Sequence, residues 1–235
     1  KESYEVMIKA VNFAEKFRTP VIFLLDEVIG HMRERVELPE EGSCEVIDRK
    51  VPTGAPADYL AYKPEADGVP PMAPFGSGYR YHVTGLMHGY NGLPNSTAAM
   101  TTEVIDRMHT KLEQAKDEIT LYEEYEMADA EHVVIAYGGT ARSAIAAVKA
   151  ARAKGIKAGL LKLITIWPFP GDVVKKAAAK AKTVIVPEMN YGQLIGEVER
   201  YVGQDKVRGV NRFDGTILTP DDILAALEEA TGGAN

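Results

Sequence analysis

The chain has 235 residues, a formal net charge of −7 and a single cysteine. The length allows one large domain or two small ones with a real core, and the acidic balance argues against nucleic acid as the main ligand. Lone Cys44 excludes an internal disulfide, fits a reducing cytosol, and excludes an iron–sulfur cluster or a cysteine-built zinc site within this chain; no apolar run is long enough to span a bilayer.

Lys1 opens inside a helical pattern, which reads as a piece or a processed product of a longer protein. Ser3 is the expected N-cap, and Val6, Ala10, Phe13, Ala14 and Phe17 carry the helical periodicity. Thr19–Pro20 stops the helix. VIFLLD, residues 21–26, is a continuous apolar run of strand length, of the kind buried on both faces of a parallel sheet. One helix and one strand make no core. Lys1 to about Arg35 therefore reads as the last α–β unit of a domain whose other strands come from elsewhere.

From Glu34 to about Asn95 proline recurs at 39, 52, 56, 64, 70, 71, 74 and 94, with glycine interleaved. Tyr59, Tyr62, Met72, Phe75, Tyr79 and Tyr81 are too many large side chains for a free linker. An extended arm anchored by its aromatics fits better, and since no local core is evident for them, the arm is expected to dock on another chain. Thr101 or Thr102 to about Tyr125 reads as one long amphipathic helix with Val104, Ile105, Met108, Leu112, Ala115 and Ile119 on one stripe.

From Asp129 strands and helices alternate. HVVIAYGG, KAGLLKLI and TVIVPE are strands, followed by a short strand at Lys206–Val210. Helices are expected over Thr140–Lys154, Asp172–Ala181, Gly192–Tyr201 and Thr219–Ala230, the last capped by Thr219 with Pro220 at its first position. This alternation predicts a mainly parallel sheet flanked by helices. The expected organisation is 1–35, 36–98 as arm, 99–128 as a connecting helix, and 129–235 as an α/β domain.

Three places carry candidate chemistry. In AYGGTARSA, a strand–glycine–helix turn, Gly138, Gly139, Thr140 and Arg142 are candidates for anion or partner contact, against a purely structural turn that lacks the G-x-G-x-x-G spacing. In PEMNYGQL, Glu188 and Asn190 lie where open α/β sheets place ligands, against helix capping by Asn190. Asp26, His31, Arg33 and Arg35 follow the first apolar run, where two guanidinium groups and an imidazole suit a carboxylate or a phosphate, against ordinary loop charges. Arg80, His82 and His88 sit in the glycine-rich arm. The spacing of the two histidines is no metal signature, so no metal is assigned. No nucleophile elbow, P-loop or Ser–His–Asp order is present.

TPVIFLLDEVIGHMRERV, PPMAPFGSGYRYHVTGLMH, AYGGTARSA, ITIWPFP and EMNYGQL, in that order, resemble successive blocks of the alpha subunit of 2-oxoacid:ferredoxin oxidoreductases, most closely the 2-oxoglutarate type. The resemblance implies the end of a thiamine pyrimidine-binding domain, the arm, and a domain like the C-terminal domain of transketolase. It implies thiamine diphosphate, Mg2+, 4Fe–4S clusters and coenzyme A in the complex, held mainly by other chains or the preceding region. The implied partners are a beta subunit, gamma and delta subunits, and ferredoxin, in the cytoplasm, with no nucleic acid and no membrane. The glutamate that activates thiamine in this family lies upstream of Lys1, so no catalytic residue is assignable. His31, Arg33, Arg80, His82 and His88 are the candidates for the vicinity of substrate or coenzyme A. Two alternatives stay open: a scaffold or anion-binding subunit, and a subunit of a related thiamine-dependent 2-oxoacid dehydrogenase.

Overall fold

The computed structural model describes residues 1–232, which fall into two units. Lys1–Leu24 with Met32–Ile119 form one, and Leu25–His31 with the chain from Thr120 onward form the other.

The second unit is built on a five-stranded sheet. Its strands are β1 (Tyr122–Tyr125), β2 (His132–Tyr137), β3 (Ala158–Leu163), β4 (Thr183–Glu188) and β5 (Val207–Asn211), in the order β1-β3-β2-β4-β5. All pairs are parallel except β1 with β3. The central strands are buried at nearly every position because helices cover both faces, which is why they read as unbroken apolar runs. Val133 and Ile135 pack on one face with α6 (Gly171–Ala177) and α7 (Ile195–Val202). Val134 and Ala136 pack on the other with α5 (Thr140–Ala153) and α8 (Pro220–Ala230). The α5 stripe of Ala144, Ala147, Val148 and Ala151 is fully buried, and its small side chains let helix and sheet approach closely. Thr219 caps α8 through a reciprocal box with Asp222, with Pro220 at the start.

One expectation fails here. The long helix does not reach Tyr125; it ends at Gln114 and, after a short piece at Lys116–Ile119, the chain turns into β1. YEEY is too short to show a period of its own. Its pairing with β3, including a Glu123–Lys162 contact of 3.1 Å across the strands, decides its state.

In the first unit, α1 (Glu2–Phe17) begins one residue before the expected cap. Lys1 is the N-cap, and Ser3 lies inside the first turn with Glu2 and Glu5, whose charges suit a helix N terminus. The helix ends in a left-handed Arg18 with φ 45°. Residues 21–26 are not in a sheet among the described residues. Extended backbone counts as strand only when a neighbour takes its N–H and C=O groups. Val21, Ile22, Leu24 and Leu25 are exposed, Ile22 at 81%. The chain then enters α2 (Glu27–His31), which belongs to the second unit.

The arm over 36–98 has more internal order than the sequence indicates. Its aromatics have a local core: Tyr59 packs edge-on against Tyr79 and Tyr81 at 5.1 and 5.9 Å between ring centroids. The Tyr59 hydroxyl donates to Pro71 O and accepts from Ala73 N, both at 3.0 Å. Ala61, Val69 and Ala73 are buried in this unit, and Ala73 O accepts from the Tyr81 hydroxyl. Gly92 is fixed by its surroundings, since φ is +81° and a Cβ there would lie 2.1 Å from His82 O. The helix α3 (Ala98–Gln114) closes the unit. Buried Lys111 on α3 donates to Phe17 O and Thr19 Oγ1, both at 2.7 Å.

Candidate functional site

The carboxyl ends of β2 and β4 bring Tyr137 and Glu188 together. Glu188 is 1% exposed. Its Oε2 accepts from Leu194 N at 2.8 Å, from Asn190 Nδ2 at 3.0 Å and from the Tyr137 hydroxyl at 3.2 Å. Its Oε1 accepts from Ile195 N at 2.9 Å. Asn190 Nδ2 also donates to the Tyr137 hydroxyl at 2.9 Å, and Asn190 Oδ1 accepts from Gly192 N and Gln193 N. Burial first, and then the Glu188 carboxyl group, push the Tyr137 hydroxyl up to about 12, so it stays protonated and donates. Glu188 thus takes two free amides at the start of α7, and Asn190 shapes the turn before it.

The glycine turn between β2 and α5 is filled in the same way. Asp26 Oδ2 accepts a short hydrogen bond from Gly139 N. Gly138 has φ +58°, and a Cβ on it would lie 2.6 Å from the same oxygen, so glycine is required. Thr140 is buried and Arg142 is exposed on the first turn of α5. Two turns that read as anion sites are therefore satisfied by carboxyl groups of this chain. Neither leaves a cradle that fits a diphosphate. The single cysteine does not fit a cysteine-ligated cluster either. Among the described residues, no group of three or more His, Cys, Asp and Glu side chains is placed to hold a metal ion.

His31 Nε2 lies 3.1 Å from Glu27 Oε1 on its own exposed helix turn. Arg33, Arg80 and His82 are exposed, and His88 stacks on Tyr62 at 4.0 Å between ring centroids. Among the described residues, no hydrogen bond, ion pair or ring contact links Arg33, Arg80, His82 and His88 to one another. Sequence reasoning passed over Tyr137, whose position at the end of a strand beside Glu188 only the sheet order reveals. It also passed over the exposed aromatics that follow three strands, Trp167, Tyr191 and Phe213, at 70, 83 and 65% exposure. Tyr191 and Phe213 contact one another, 4.9 Å between centroids.

Two family models match the chain. Pyruvate flavodoxin/ferredoxin oxidoreductase, thiamine diP-bdg, covers residues 1–111, and pyruvate:ferredoxin oxidoreductase core domain II covers residues 130–223. Over nearly its whole length the chain is similar to subunits of 2-oxoacid:ferredoxin oxidoreductases. It is 38% identical to the 2-oxoglutarate synthase subunit KorA of Methanothermobacter marburgensis, over 95% of this chain and 60% of that one. With the KorA subunit of Methanocaldococcus jannaschii the identity is 40%, over 97% of this chain and 60% of the relative. The chain thus spans about three-fifths of the length of the curated relatives it matches. A solved 2-oxoglutarate:ferredoxin oxidoreductase from Magnetococcus marinus, with 2-oxoglutarate, coenzyme A and succinyl-CoA bound, superposes with a TM-score of 0.83 at 27% identity. That match covers 93% of this chain and 38% of the other. No helix among the described residues is long and apolar enough to cross a membrane.

Proposed function

We propose that this chain is part of the alpha subunit of a thiamine-diphosphate-dependent 2-oxoacid:ferredoxin oxidoreductase. The complex would convert 2-oxoglutarate and coenzyme A to the acyl-CoA and CO2 while reducing ferredoxin. The observation that carries this reading is the likeness over nearly the whole chain to the solved enzyme with 2-oxoglutarate and coenzyme A bound. In this reading residues 1–35 end a pyrimidine-binding domain, 36–98 form an arm, 99–128 connect, and 129–235 form a transketolase C-terminal-like domain. Thiamine diphosphate, Mg2+ and the clusters are held by beta, gamma and delta subunits or by the rest of the alpha subunit, in the cytoplasm. The support for this is the single cysteine of this chain and the two helix-start turns whose amides Asp26 and Glu188 take up. The cofactor supplies the nucleophilic carbon that attacks the 2-oxo group, and the protein supplies position and charge.

Exposed Arg33, Arg80 and His82, with His31 and His88, are the groups of this chain offered to the anionic substrate or to coenzyme A. The test is purification of the native complex, followed by an assay of ferredoxin reduction. The expected result is reduction that requires both 2-oxoglutarate and coenzyme A, with co-purifying subunits that carry iron–sulfur clusters. Turnover with a lipoyl acceptor in place of ferredoxin, or a chain that purifies alone without thiamine binding, would sink the reading.

A further inference from the structure

In open α/β sheets ligands collect outside the carboxyl ends of the strands, where the strand order reverses. Here β2 has β3 on one side and β4 on the other, so the reversal falls between β2 and β4. Both strands end in turns whose amides are taken: Gly139 N by Asp26, and Leu194 N and Ile195 N by Glu188. An anionic ligand at this place therefore depends on side-chain donors rather than on helix-start amides.

The short helix α2 brings one. None of its five residues is fully buried, so its place rests on few contacts. Asp26, just before it, makes the main one by accepting from Gly139 N, while Asp26 O accepts from Gly30 N at 3.0 Å. Ile29 lies against the same turn. A Cβ on Gly139 would stand 2.9 Å from Asp26 Oδ2 and 3.4 Å from Ile29 Cγ1. Two consecutive glycines thus make the room in which α2 rests on the end of β2. After burial and Glu188, the charge of Asp26 also raises the pKa of the Tyr137 hydroxyl at that strand end. His31 follows Ile29 by two residues, a rise of about 3 Å along a helix, so it stands at the same end of the sheet. Its Nε2 lies 3.1 Å from Glu27 Oε1, and its Nδ1 has no partner among the described residues.

We propose that Asp26 is a positioning residue: it holds α2 on the Gly138–Gly139 turn so that His31 meets an anionic group of the ligand between the ends of β2 and β4. That group is a carboxylate of 2-oxoglutarate or a phosphate of coenzyme A, which rests on the function proposed above. Asp26 itself touches neither.

The test is calorimetric binding of 2-oxoglutarate and, separately, of coenzyme A to the native complex. His31→Ala should raise the Kd of one of them on the order of tenfold, and Asp26→Ala should raise the same Kd by a similar factor. Asp26→Asn keeps an oxygen that can accept from Gly139 N, and should return the Kd to within about twofold of the parent. Asp26→Ala combined with His31→Ala should bind no more weakly than His31→Ala alone, because Asp26 acts through His31; a merely structural role would add its own loss. Weakened binding of 2-oxoglutarate identifies the carboxylate as the group met, and weakened binding of coenzyme A identifies the phosphate. Unchanged affinity for both compounds in Asp26→Ala, no recovery in Asp26→Asn, or losses that add in the double variant overturn the proposal. So does unchanged affinity in His31→Ala, a change at an exposed side chain that leaves the core intact. A complex that binds both compounds but reduces no ferredoxin defeats the proposed activity and leaves this test in force; a complex that binds neither overturns both.

Discussion

The two units meet the same requirement with opposite chemistry. The α/β unit, with its regular ladders, has amides left over at the starts of its helices, and it covers them with acceptors: Glu188 on Leu194 and Ile195, and Asp26 on Gly139. The proline-rich unit has carbonyls left over, because proline brings a C=O without an N–H. It covers some of them with tyrosine hydroxyls and others with cationic side chains that only donate. Arg18 Nη1 reaches Ala61 O at 2.5 Å, Pro70 O at 3.2 Å and Pro71 O at 3.3 Å; Arg107 takes Gly68 O and Lys111 takes Phe17 O. In this chain the regular unit closes two open helix starts with carboxyl groups, whereas the irregular unit places partly buried Arg18 and Arg107 and buried Lys111 along its backbone.

The comparison is sharpened most by Glu188. Replacing it with leucine strands two amides and the Tyr137 hydroxyl inside the fold, and should cost about 3–4 kcal/mol in urea unfolding. Glu188→Gln, which keeps an acceptor, should cost less than half of that. A loss of under about 1 kcal/mol for leucine would break the account, because loss of satisfied buried groups costs more than this.

Arg18→Met should cost about 2–3 kcal/mol by leaving Ala61 O and Pro70 O without their donor while Pro71 O keeps the Tyr59 hydroxyl, and Arg18→Lys should restore only part, since its ammonium sits on a flexible stem without the pre-organised guanidinium plane. Limited proteolysis of the chain reads the same change: the segment between Tyr59 and Tyr81 resists cleavage in the parent and becomes sensitive in Arg18→Met. Rapid cleavage of the parent there would show that the Tyr59 cluster does not hold the arm. Asp26→Ala is milder, about 1 kcal/mol, as for loss of a helix cap. A milder effect for Arg18→Met than for Asp26→Ala would reverse the proposed division between the units.

The last effect concerns pH and Lys111. Burial first, and then Arg107 and Arg18, lower its pKa to about 8 from the usual 10.5. Between those values the unfolded chain binds more protons than the folded one, so folding stability gains as pH rises from about 8 toward 10.5. Below about 8 both states hold the proton and the cost of burying the charge is fully present. Unfolding curves for the parent minus those for Lys111→Met should show this rise; a flat difference would mean that the amine titrates normally.

Much of the α/β unit is legible in the sequence. HVVIAY and TVIVPE are buried on both faces and look it, and Thr219-Pro220 announces the start of α8, because these signals depend on residues a few positions apart. The order of the motif blocks along the chain carries the resemblance in the same way. What the sequence could not supply are contacts between residues far apart in the chain. Tyr122–Tyr125 is a strand only because β3 lies beside it, and 21–26 is not one among the described residues because nothing pairs with it. The tyrosines of the arm make a core only once the chain brings 59, 79 and 81 together. The site differs most. Gly138, Gly139, Glu188 and Asn190 were visible as chemistry, but whether an amide at a helix start is open or already satisfied depends on which distant side chain reaches it. Asp26 lies 113 positions from Gly139. Local periodicity determines the elements; the tertiary structure decides which polar groups they leave free, because a hydrogen bond is settled by distance in space and not by spacing in the chain.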